Sequence, residues 1–368
     1  MAHPVTIHDR TIHDKTIHSD GDWRDQLRGV ITSVEALLAE VGLGPGDIDA
    51  SEHACADFPL KVPRSFVARM RRGDPRDPLL LQVVAGAREL LTQPGFDADP
   101  VGEQGPANAR PGLIHKYAGR VLLIVSSGCA VNCRYCFRRH FPYTDNRNSR
   151  DEWRAALDYI RADTSIAEVI LSGGDPLVVG DAQLAELSAQ IAAIDHVRRL
   201  RVHSRLPVVI PDRVTPALLD AITPRGLQTV MVIHCNHANE IDAGVQRAVA
   251  ALRERGITVL NQAVLLAEVN DSATAQIALS EALFDAGVLP YYLHLLDRVA
   301  GAAHFEVCET RARSLHARMA ARLPGYLVPK LVREVAGADA KVVVPASFQP
   351  ASPNGARTRP SHTPNPAE

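Results

Sequence analysis

Long apolar runs are missing from this chain. No stretch could span a bilayer, and the polar N-terminus lacks the continuous apolar segment of a secretory signal. Cysteine is scarce: six in 368 residues, three of them within one octet, which is not the disulfide framework of a small secreted protein. Excess charge is absent as well. A formal net charge of −2 gives no reason to expect direct nucleic-acid binding or attraction to a membrane surface. What remains is an ordinary globular composition, 46% hydrophobic and 22% charged. The length suits one large domain with additions, or two domains. A reducing cytoplasm is the expected location.

Residues 1–20 repeat Thr-Ile-His at Thr6, Thr11 and Thr16 and read as a disordered leader rather than a metal site. From Trp23 to Leu43 the spacing of Leu27, Val30, Ile31, Val34, Leu37 and Leu38 predicts a helix. Short helices separated by Pro59, Pro63, Pro75 and Pro78 follow, so 21–110 is an N-terminal helical region. The stretch 100–113 is rich in Gly and Pro and reads as a linker. The tail 346–368, full of Pro, Ser, Asn and Thr, is expected to be disordered.

Between these ends a strand–helix rhythm repeats six times. Strands are predicted at 120–126, 167–172, 198–204, 228–234, 258–265 and 289–296, each short and rich in Val, Ile or Leu. Helices are predicted at 151–163, 181–194, 215–223, 242–256, 271–286 and 306–322, with Asp181, Thr215 and Asp271 as caps. Such alternation implies a parallel sheet. Chemically active residues recur at or near all six strand ends: Cys129, Asp175, Arg205, His234, Gln262 and Asp297. A barrel builds sites that way, whereas a doubly wound sheet gathers them at one switch point. The predicted fold is α/β, a partial (β/α)6 barrel over 111–325.

Cys129, Cys133 and Cys136 form a C-x3-C-x2-C loop after the first strand. Three thiolates in that span can hold three corners of a [4Fe–4S] cube and leave the fourth iron open to a small molecule. The alternative is a zinc-binding module without catalysis, with His140 as fourth ligand. The spacing resembles that of the radical S-adenosylmethionine (SAM) enzymes. In those enzymes a glycine motif like Ser172-Gly173-Gly174-Asp175 contacts SAM, and His234 and Gln262 are candidates to complete that pocket. Glycine there lets backbone approach a ligand closely.

The resemblance then narrows. G-R-V-L-L-I-V-S-S-G-C-A-V-N-C-R-Y-C-F-R-R-H-F-P, L-S-G-G-D-P-L, S-R-L-P-V-V-I-P, H-C-N-H-A-N-E, N-Q-A-V-L-L and L-P-Y-Y-L-H-L-L-D are similar to the lysine 2,3-aminomutase family over roughly residues 20–345. F-P-L-K-V-P-R-S-F-V-A-R-M and P-G-L-I-H-K-Y resemble the short bacterial branch that makes (R)-β-lysine for elongation factor P.

That resemblance implies an isomerase that moves the amino group of L-lysine from carbon 2 to carbon 3. Its implied cofactors are a [4Fe–4S] cluster, SAM and pyridoxal 5′-phosphate (PLP), the last carried by a lysine as an imine. Lys330 and Lys341 compete for that role. The family places an acidic residue seven positions before the PLP lysine, and Glu334 with Lys341 keeps the interval; 326–345 is then a PLP-anchoring segment. The chain departs from the family in lacking the glycine-rich run before this lysine and in having Glu334 where larger relatives have aspartate. By the same resemblance Lys116 and Arg120 bind the PLP phosphate, Arg138 grips the substrate carboxylate, and Asp297 with Glu334 receives the side-chain ammonium. Arginine suits a carboxylate because its planar fork pairs two oxygens. Implied partners are lysine, an electron donor such as flavodoxin or ferredoxin, and elongation factor P with its lysyl ligase. A homo-oligomer stays open, as does an aminomutase acting on arginine or glutamate.

Overall fold

The structure, a computed structural model, describes residues 22–146 and 150–347. The Thr-Ile-His leader and the tail beyond 347 lie outside the described residues.

The chain opens with helices α1 (Trp23–Arg28), α2 (Val34–Val41), α3 (Glu52–Asp57) and α4 (Arg64–Val67). The single helix expected over Trp23–Leu43 is thus two. Gly29 ends the first, Ser33 caps the second through the Ala36 N–H, and Ile31 between them bridges Val62 in antiparallel fashion. Helix propensity is low at Gly29, and the Ser33 cap starts a new helix at once.

One ten-stranded sheet follows, and its strand order is its chain order. The strands are β1 (Asn108–Arg110), β2 (Leu113–Tyr117), β3 (Arg120–Ser126), β4 (Glu168–Gly173), β5 (Arg199–Ser204), β6 (Gln228–Ile233), β7 (Thr258–Val264), β8 (Leu289–His294), β9 (Lys330–Arg333) and β10 (Val342–Val343). From β3 to β9 every pairing is parallel, while β1, β2 and β10 add on antiparallel. The sheet does not close on itself, which makes it a partial barrel. The linker expected over 100–113 is corrected: its second half is a strand that pairs with β2, and β2 pairs with β3. β9 is a further parallel strand that the six-unit rhythm did not include.

Helices α5 (Arg150–Ala162), α6 (Asp181–Ala192), α7 (Leu206–Val209), α8 (Pro216–Ile222), α9 (Ala243–Glu254), α10 (Ala273–Asp285) and α11 (Glu309–Ala320) fill the connections. Thr215 caps α8 as expected. Asp181 and Asp271 do not cap. Gly180 precedes α6, and Ser272 caps α10 through Ala275 while Asp271 pairs with Arg311.

The period of two in each strand separates two faces. Val121, Leu123, Val169, Leu171, Leu200, Val202, Met231 and Val259 point outward into the buried core under the helices. The alternate positions, Leu122, Ile170, His203, Val230, Leu260 and Tyr292 among them, line an inner cavity. That core runs from Trp23 to Val344, so the N-terminal helices and the C-terminal strands share it with the barrel.

Candidate active site

The inner cavity holds about 590 Å3. It lies within the usual size range of small-molecule sites, roughly 300–1,000 Å3. Its rim is built from the carboxyl ends of the parallel strands. Cys129, Cys133, Cys136 and Arg138 come from the loop after β3, and Ser172 to Asp175 from the end of β4. His234, Gln262, His294 and Asp297 follow at β6, β7 and β8, and Glu334 and Lys341 flank the turn between β9 and β10.

The cysteine loop is tethered at several points. Asn132 donates its backbone N–H to Lys61 O at 3.0 Å and its side-chain N–H to Pro59 O at 2.8 Å. Arg134 donates to Glu89 and to Leu81 O, each at 2.6 Å. Cys136 N–H donates to Cys133 O at 2.9 Å, and the Cys133 sulfur accepts from Arg205 at 2.7 Å. Burial, then the neighbouring thiols, raises the Cys129 thiol well above its ordinary value and lifts Cys136 to about 11. Without a metal Cys129 and Cys136 are therefore protonated, and loading one must release their protons. Three soft sulfur donors on one tethered loop suit an iron–sulfur cluster. Among the described residues no three His, Cys, Asp or Glu side chains converge as they would on one metal ion. A cube, whose irons bind separate thiolates, requires no such convergence.

The glycine pair after β4 is required by the backbone. A Cβ on Gly173 (φ 118°) would lie 2.5 Å from Ser126 O, and one on Gly174 would lie 2.4 Å from Gly128 O. The β4 turn thus packs directly on the approach to the cysteines, sealed by Gly174 N–H to Ser126 O at 2.6 Å and Asp175 N–H to Gly128 O at 2.8 Å. Asp175 also lines the cavity. Its carboxylate already accepts from Leu177 N, Ser204 Oγ, Arg205 N and Leu206 N, so its acceptor positions are filled and it locks β4 to β5.

His234 and Gln262 bond each other at 3.1 Å, and burial, reinforced by Arg205 and Arg138, lowers His234 to about 3. Arg138 donates to both oxygens of Glu103 at 2.7 and 3.0 Å and to Ser172 Oγ at 3.0 Å.

Elsewhere in the lining Glu334 joins three groups. It accepts from Lys116 Nζ at 2.7 Å, from Lys341 Nζ and from the Tyr117 hydroxyl. Burial by itself raises its carboxyl, but the Lys341 and Lys116 ammoniums prevail and hold it at about 2. Arg120 stacks on Tyr117 at 4.6 Å, and Lys341 stands 6.0 Å from the centre of the Tyr292 ring. Lys330 instead is exposed on β9. Burial raises Asp297 to about 7, against the pull of Lys341, since its carboxyl is enclosed by protein yet open to the cavity.

Sequence reasoning did not single out Glu103, His203 or His294. His203 and His294 line the cavity with buried Nε2 atoms that lack a partner, which fits a ligand bearing polar groups. His294 lies within L-P-Y-Y-L-H-L-L-D, whereas Glu103, one acidic residue in a Gly/Pro-rich stretch, carries no signal in the sequence. Lys341, the cationic pair Lys116 and Arg120, and these unpartnered imidazoles are a donor set that fits PLP.

The Radical SAM superfamily model matches residues 123–279, from β3 into α10. Fold and site thus define a radical SAM enzyme, a class that uses a [4Fe–4S] cluster and SAM. The chain is 48% identical to the L-lysine 2,3-aminomutase of Escherichia coli K12 over 347 residues, covering 93% of this chain and 97% of that one. Identity is 46% to the Haemophilus influenzae enzyme of that name, over 86% and 93% of the two chains. For that of Clostridium subterminale it is 32%, over 90% and 80%. The chain belongs to the lysine 2,3-aminomutase family, whose members are isomerases that add PLP to the cluster and SAM.

Proposed function

We propose that the protein converts L-α-lysine to (R)-β-lysine with the aid of PLP, and that this product serves the modification of elongation factor P. The observation that carries the reading is one cavity lined both by the three cysteines and by Lys341, Glu334 and Lys116. When bound, cluster and SAM supply one-electron chemistry, and PLP supplies the conjugated system over which an amino group migrates.

The chain's own residues bind and orient. Cys129, Cys133 and Cys136 hold the cluster, and Ser172 to Asp175 with His234 and Gln262 form the SAM side of the cavity. Lys341 carries PLP, with Lys116 and Arg120 toward its phosphate. Arg138 takes the substrate carboxylate, and Asp297 with Glu334 takes the far ammonium. Ile114, Leu122, Ile170, Val230 and Leu260 line the space between and keep water out. Fixing both ends of the substrate is where the protein contributes most, because a reacting carbon misplaced by about 1 Å costs about a hundredfold in rate. Asp297 in the cavity lining would repel a side-chain carboxylate and disfavours glutamate as the substrate.

The chain spans nearly the full length of the Escherichia coli relative but 80% of the longer Clostridium subterminale enzyme, which supports the short elongation factor P branch. A flavodoxin or ferredoxin donor and a lysyl ligase that consumes β-lysine complete the proposal, in a reducing cytoplasm. No helix among the described residues is long and apolar enough to cross a membrane.

The test is anaerobic incubation of reconstituted enzyme with SAM, PLP, dithionite and L-lysine, followed by chiral separation. (R)-β-lysine is the expected product. Turnover of arginine or glutamate in place of lysine overturns the substrate, and (S)-β-lysine overturns the link to elongation factor P.

A further inference from the structure

Residues 97–104 form a strap that contributes Val101 and Glu103 to the cavity lining and is fastened at several points. Asp97 exchanges backbone bonds with the loop that follows Asp297: its N–H donates to Arg298 O at 3.0 Å and its carbonyl accepts from Ala300 N–H at 2.7 Å. Asp99 folds the strap, accepting from Glu103 N at 2.8 Å and Gln104 N at 2.9 Å. Val101 O accepts from Lys116 Nζ at 2.7 Å, the same ammonium that pairs with Glu334. Glu103 then grips Arg138.

That grip is directional. Glu103 takes Nε–H and one Nη2–H of the guanidinium, and both side chains are 7% exposed. Nη1 donates to Ser172 Oγ at 3.0 Å and to Gly173 O at 3.3 Å. A guanidinium has five N–H donors. Four are accounted for, which leaves one on Nη2. Swinging Glu103 away to admit another carboxylate would strand a buried charge on a backbone that Asp99 holds in place, which is costly.

We infer that Glu103 is the positioning residue for Arg138: it stays in place when substrate binds and fixes the guanidinium plane so that the remaining N–H meets a substrate carboxylate. The inference rests on the proposed docking of the lysine carboxylate at Arg138. It makes the strap a determinant of selectivity for amino acids with a free carboxylate, acting through a residue it holds rather than by touching the ligand.

The test is ligand binding to holoenzyme carrying cluster and PLP, with SAM withheld, followed by calorimetry for wild type, Glu103→Gln and Glu103→Ala. Lysine is compared with lysinamide, whose carboxamide bears no charge. Glu103→Gln keeps the volume but sets an amide N–H against Nη2. Lysine affinity is expected to fall about ten-fold in both variants, the usual scale for a charge-assisted bond. Lysinamide affinity, iron content and bound PLP are expected to stay as in wild type. Tighter lysine binding in the variants would make Glu103 a competitor for Arg138 and overturn the inference. So would unchanged lysine affinity, or an equal loss for both ligands, which marks a merely structural role. A wild-type holoenzyme that ignores lysine is a separate result: it removes the substrate reading, and the inference with it.

Discussion

Lys341 donates its ammonium proton to Oε2 of Glu334, seven residues earlier in the chain, across the turn that joins β9 to β10. The pairing holds the lysine in the cavity wall beside Lys116, and Lys330 stays outside on the exposed side of β9. Replacing Lys341 by Ala is expected to abolish the visible absorbance of bound PLP and activity together. Lys330→Ala is expected to leave both intact; the reverse pattern would move the anchor to Lys330.

Cys133 is the middle cysteine of its loop and is bonded by Arg205. Cys133→Ala is expected to lose the brown absorbance and most of the roughly four irons per chain of a full cube. Turnover would fall below detection. A variant that still isomerises lysine would exclude Cys133 as a ligand.

Asp297, proposed to receive the lysine ammonium, is expected to give the enzyme a pH dependence. Burial raises its carboxyl to about 7, so it is neutral below that value and ionised above it. Only the ionised form attracts an ammonium, so KM for lysine is expected to fall as pH rises through 7. Asp297→Asn is expected to flatten that profile and to raise KM at pH 8 by about ten-fold or more, the worth of one charge-assisted bond. An unchanged profile in the variant would assign the ammonium site elsewhere.

Gly174 tests the packing of the β4 turn on the cysteine loop. A Cβ there would meet Gly128 backbone at 2.4 Å, and backbone cannot step aside as a side-chain tip can. Gly174→Ala is expected to cost ~1–3 kcal/mol, as overpacking usually does. It would lower both the thermal midpoint and the iron retained after anaerobic purification. Wild-type values for both would mean that the turn has room to move.

Much of this was legible in the sequence, because the six expected strands are apolar runs bounded by loops. They coincide with β3 to β8 to within about two residues. What escaped has physical causes. β1 and β2 pair antiparallel where the chain reads as Gly and Pro punctuation, and β9 is four residues long with charged ends. The break at Gly29 is marked only by that glycine and the Ser33 cap, signals that the unbroken apolar spacing of Trp23 to Leu43 overrides. Of the site, Cys129, Cys133, Cys136, Arg138, Asp297 and Lys341 could be named from motifs. The filled acceptor set of Asp175 and the Glu103–Arg138 pair could not, since each is made by chain segments remote in sequence.

Three cysteine ligands would leave one iron of a cube open to SAM. Electron paramagnetic resonance of the dithionite-reduced holoenzyme, recorded under strict exclusion of air before and after SAM is added, tests it most directly. A changed cluster spectrum on addition is the predicted result. An unaltered spectrum from a fully loaded cluster would contradict the account.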